Sequence, residues 1–164
     1  MEERLARFEI DHNTKANLVL FRPVLDAHIE RTVIHFYNYL DQFPETRSLL
    51  KGRNIELMRE KQKLHWKALL SGDFGAGYLH NTVMIGLVHF DCRLPPHLYM
   101  AAYSFFMSEM LRIGSAELGY GFQAIAISIN KVIMMDMSIV LNAYFLSALA
   151  PADGPGHEGH PHAG

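Results

Sequence analysis

Residues 61–103 read KQKLHWKALLSGDFGAGYLHNTVMIGLVHFDCRLPPHLYMAAY, and the reading of this stretch decides the fold. It predicts two helices and the opening of a third. The first closes at Ser71-Gly72, where a glycine can take up the turn that ends a helix. From Leu79 to Asp91 the apolar residues recur at helical spacing, and the segment stops ahead of Pro95-Pro96, a pair suited to the first turn of the next helix. His89 stands near the end of the middle helix. One turn back lie Ile85 and Gly86, with Thr82 beyond, so the face carrying His89 is apolar and bare at Gly86. A glycine one turn from an inward-facing histidine makes room for a flat ligand. A core histidine satisfied by backbone is the plainer alternative, and the residues alone leave both open.

The same periodicity continues outward. Pro23 suits the first turn of a segment from Arg22 to His28, and Ile29, Val33, Phe36, Tyr37 and Leu40 share a helical face up to Asp41. Pro44-Glu45-Thr46-Arg47 opens a short helix ending near Leu50, and Asn54 can cap one running to Leu70. A helix from about Pro96 to Leu118 is followed by Gly119-Tyr120-Gly121 and by a last helix from about Phe122 to Leu149. That is an all-α chain of six to seven unequal helices. Such irregular lengths suit an orthogonally packed fold that wraps something better than an up-down four-helix bundle.

Composition narrows the function. The 164 residues fit one domain, here residues 1–150, with a Gly/Pro/His-rich tail at 151–164 expected to be flexible. Hydrophobic residues make up 49% and charged residues 20%, enough to bury a core. A net charge of −2 argues against a nucleic-acid partner held by a basic stripe. Cys92 is the single cysteine, so neither a disulfide framework nor a thiolate zinc cluster is available. The charged start lacks the apolar run of a secretory signal, which makes a cytoplasmic location the expectation. Gly121 to Ala150 is the most apolar stretch, but Lys131 and Asp136 interrupt it, so it reads as a buried or partner-packed helix with no membrane span.

Ten histidines are many for this length. His157, His160 and His162 could hold a metal ion loosely, although a solvated end is the plainer reading. The nine methionines include Met84, Met100, Met107, Met134, Met135 and Met137 in apolar helical stretches, where they fill irregular gaps.

Residues 61–103 resemble the globin domain of globin-coupled sensors. The shared features are His65-Trp66, the Ser71-Gly72 stop, the step of seventeen residues from Gly72 to His89, and Tyr99 ten residues further on. HFYNYLDQFPETRSLL (35–50) resembles that family's distal helix with its aromatic pair Phe36-Tyr37, and MMDMSIVLNAY (134–144) its closing helix. Leu98 departs from the tryptophan often found before the tyrosine. The resemblance covers roughly residues 15–148.

It implies a globin-like fold holding haem b (iron protoporphyrin IX), with His89 as the iron ligand through Nε2. It also implies Tyr37 as the distal donor to bound O2, and Tyr99 as a proximal tyrosine whose hydrogen bonding responds to ligation. Met58 and Gln62 fall one turn apart on the distal helix, with Lys61 competing for the same angle; Ile85, Gly86, Leu94 and Phe36 complete the expected cofactor contacts. The bottom-up chemistry is compatible: haem iron takes a neutral imidazole whose other nitrogen is fixed by a hydrogen bond, here to the Ile85 carbonyl.

Three functions follow as expectations. The first is a gas sensor binding O2, and also CO or NO. It would signal through a homodimer, the long C-terminal helix pair forming a four-helix bundle with its copy, to an output module. In that family the module is a diguanylate cyclase, a histidine kinase or a chemotaxis transmitter, and the chain stops where it would begin. The second is a stand-alone haem enzyme, a nitric-oxide dioxygenase or peroxidase-like protein; no Gly-x-Gly-x-x-Gly fingerprint supplies its electrons. The third is a haem-free globin-like interaction module, against which the presence of both His89 and Tyr37 speaks.

Overall fold

A computed structural model describes residues 1–149; the expected tail at 151–164 lies outside them. The described residues form seven α-helices and one 3-10 turn: α1 (Glu2–Arg7), α2 (His12–Leu40), α3 (Pro44–Leu50), α4 (Ile55–Leu69), α5 (Ala76–Asp91), α6 (Pro96–Leu118), the turn Gly119–Gly121, and α7 (Phe122–Leu149).

Local chemistry sets most of the ends. Asp11 caps α2 through Thr14 N at 2.7 Å, and Asn54 caps α4 through Leu57 N at 3.0 Å, as its sequence predicts. Gly72, at φ +79°, takes the left-handed conformation just past α4. The expected break near Pro23 does not occur. α2 runs straight through it, because Pro23 lies on the exposed side, where water can satisfy the Val19 carbonyl that the proline leaves without a donor. α1, absent from the sequence reading, is six residues long and buries none of them, so it carries no core periodicity.

α2, α6 and α7 form the main body. Leu18, Phe21, Leu25, Ile29 and Val33 make a stripe along α2 and meet Phe106 and Met110 of α6 and Ile125, Ile129, Val132 and Ile133 of α7. α5 packs chiefly along α7 and α4 along α2; the two have no comparable pairing with each other. The helical stretch Pro96–Leu149 is long and apolar enough to cross a membrane, and half of its most apolar window is buried inside the domain. Packing within this fold accounts for the buried half of that apolarity.

Candidate functional site

His89 is mostly buried near the C-terminal end of α5. Its Nδ1 donates to the Ile85 carbonyl one turn back at 2.7 Å, the bond the sequence leads one to expect. That bond fixes the tautomer and leaves Nε2 as the nitrogen able to bind a metal. Burial pushes the imidazole below its usual pKa, only partly offset by the Ile85 bond, and so favours the neutral ligating form. The ring meets the edge of Tyr99 from α6, with centroids 5.1 Å apart at 68°. Just past α5, Leu94 donates its N–H to the His89 carbonyl, and its own carbonyl accepts from Tyr144 of α7.

Tyr37 sits on α2 in a separate group of contacts. It is buried, and burial pushes its phenol up to about 12, so it stays protonated and able to donate. The Arg59 guanidinium lies over its ring at 5.8 Å. Both residues line a cavity of about 750 Å³ together with Arg47, Lys51 and Ile55, within the size range of cofactor sites. Phe36 is core: it packs on Phe106 at 4.7 Å and edge-on against Tyr37. Met58 is half-buried on α4, and the Gln62 carbonyl accepts from Trp66 Nε1 at 3.0 Å. Lys61, the rival for the inward angle, is exposed.

Gly86 needs a correction. Its bare face is turned to α7, where a side chain would collide with Val140 and Ala143. The glycine makes room for a helix crossing rather than for a ligand.

The sequence reading missed a buried polar cluster. Asp136 of α7 is fully buried and accepts from Tyr78 and Tyr103 and, at 3.2 Å, from Thr82. His65 Nε2 lies 3.2 Å from the same carboxylate and 3.3 Å from the Tyr103 oxygen. Burial alone would raise the Asp136 pKa; His65, Tyr103 and Tyr78 more than reverse this and hold it below the usual aspartate value, so it is an anion. In sequence Asp136 registers only as a charge against a membrane span. The usable signal was a lone carboxylate in an apolar helix, which must be met by donors from elsewhere.

These residues suit a haem. His89 offers one imidazole nitrogen, and the two helices it would sit between are not packed on each other. Arg59 Nε is buried and makes no hydrogen bond among the described residues, while the same guanidinium pairs through Nη1 with Glu56 at 3.6 Å, so one buried N–H is left over for a propionate.

The family model described as Protoglobin matches residues 1–149. The chain is 27% identical over 110 residues to a protein named heme-based aerotactic transducer HemAT, from Halobacterium salinarum. That match covers 66% of this chain but 22% of the relative, so the chain spans about a fifth of it. A solved structure described as the globin domain of the Geobacter sulfurreducens globin-coupled sensor superposes with a TM-score of 0.82 at 22% identity, covering 88% of this chain and 97% of that one. The fold is therefore that of a sensor globin domain.

Proposed function

Since the chain belongs to the Protoglobin family, we propose that it is a haem-binding gas sensor globin that takes O2 reversibly at an iron held by His89. The observation that carries this is the His89–Ile85 hydrogen bond, which presents a neutral, oriented imidazole from a buried face. When bound, the haem supplies an iron that coordinates a diatomic gas. The protein's residues do the rest. His89 Nε2 would hold the iron, Tyr37 would donate a hydrogen bond to the gas, and Arg59 would anchor a propionate. Haem b is the form that needs only such non-covalent contacts, and Cys92 is the one cysteine in the chain. CO and NO are expected as further ligands.

Signalling would run through a homodimer. Met100 of α6 and Ile127, Met134, Phe145 and Leu146 of α7 are exposed apolar side chains on the two longest C-terminal helices. A second copy packing α6 and α7 against the same pair would cover them. The matched stretch is 22% of the HemAT relative, which favours an output module in the same polypeptide.

The test is direct. Purified protein should carry haem with an intense Soret band, and His89→Ala should lose most of it. Stoichiometric haem in His89→Ala with an unchanged spectrum would remove the ligand assignment. Continuous turnover of NO with an external reductant would favour the enzymatic reading.

A further inference from the structure

The hydroxyl of Tyr99, the residue against His89, donates to Tyr103 at 2.7 Å, and Tyr103 donates in turn to Asp136 of α7. Both tyrosines are buried, and burial raises both phenols well above the usual value, so each carries one proton. A carboxylate only accepts. The Tyr103 proton is therefore committed to Asp136, its oxygen is left to accept, and Tyr99 must donate to it. The polarity of the whole chain is set at Asp136. Tyr99 consequently has no proton to offer toward His89 or the Ile85 carbonyl. Tyr78 and Thr82 of α5 and His65 of α4 converge on the same carboxylate, so it ties α4, α5, α6 and α7 at one point.

We propose that Asp136 is a positioning residue for the proximal side of the gas site: through Tyr103 it holds Tyr99 against His89, and through the same chain displacement of His89 reaches α7. This rests on the reading of His89 as the haem ligand. A carboxylate present only to stabilise the core would be indifferent to which of its donors is lost. The proposal instead separates the Tyr103 branch, which reaches the His89 ring through the Tyr99 side chain, from the Thr82 donor, which shares α5 with His89 and is joined to it only along the helix backbone.

The experiment uses the haem-loaded full chain in its reduced, gas-free form. Resonance Raman spectroscopy reads the iron–histidine stretching band in wild type, Tyr103→Phe, Asp136→Asn and Thr82→Val, with a thermal melt to show that each is folded. The band should shift in the same direction in Tyr103→Phe and Asp136→Asn and stay in place in Thr82→Val. Hydrogen exchange of the α7 amides around Asp136 should differ between the gas-free and CO-bound wild type, and that difference should vanish in Tyr103→Phe. Tyr103→Phe removes a single hydroxyl and carries the test if Asp136→Asn does not fold. An unshifted band in Tyr103→Phe, or an equal shift in Thr82→Val, overturns the proposal. Absence of any iron–histidine band in wild type instead overturns the haem-ligand reading beneath it.

Discussion

Gly86 of α5 faces Val140 of α7 so closely that a Cβ built on the glycine would stand 2.6 Å from the Val140 carbonyl oxygen and 2.9 Å from the Ala143 Cβ. Backbone cannot yield there as a flexible side chain can. Gly86→Ala must push apart the two helices that position His89, and overpacking of this kind costs about 1–3 kcal/mol. The thermal midpoint should fall by roughly 3–10 °C for a domain of this size, measured by circular dichroism. An unchanged midpoint would mean that the helices do not cross this closely in solution.

Tyr37→Phe removes the proposed donor while keeping the ring and its contact with Phe36. A neutral hydrogen bond contributes about 1–1.5 kcal/mol, roughly a tenfold change. Stopped-flow measurement should show the O2 dissociation rate rising by about that factor, with CO binding nearly unaltered because bound CO gains less from a donor. An equal response of both gases would assign the effect to pocket volume.

Arg59→Ala deletes a cation that pairs with Glu56 through Nη1 and whose Nε has no hydrogen-bond partner among the described residues. If that guanidinium holds a propionate, the variant should release haem to an excess of an acceptor globin roughly tenfold faster, corresponding to about 1.4 kcal/mol. The Soret position should stay the same, since His89 is untouched. Unaltered transfer kinetics would place the propionates elsewhere.

Asp136 makes stability depend on pH with a definite sign. Its folded pKa lies below the ordinary value of 3.8, so the carboxylate contributes fully above that value and loses its contribution as pH falls through the lower folded pKa. Removing one partner of a buried pair costs about 3 kcal/mol, and Asp136→Asn should be destabilised by that order at pH 7. Urea midpoints followed from pH 7 to pH 3 should keep a steady gap between the two proteins down to about pH 4 and begin to narrow below it. A constant gap across the range would show that folding leaves the Asp136 pKa unshifted, and a wild type that gains stability as pH falls from 7 would show a buried neutral acid instead.

The His89 helix, the caps at Asn54 and Gly72, and the long closing helix were legible because each is a local pattern: a 3.6-residue period, a side chain that can reach its own backbone, a glycine that can take positive φ. The unbroken course of α2 was not, since whether a proline ends a helix depends on which side of it faces water. Gly86 shows the same limit at the site. Its lack of a side chain is visible in sequence, but what the bare face meets is decided by α7, fifty-odd residues away.

The chain by itself determined an all-helical fold, the position of His89 and the hydrogen bond to Ile85, because these follow from spacing along one helix. It could not determine that Asp136, His65, Tyr78, Thr82, Tyr99 and Tyr103 share one buried cluster. Those residues come from four helices and no local rule relates them. Only the packing of α4, α5, α6 and α7 brings them together, because a carboxylate taken out of water requires donors and the fold alone supplies them.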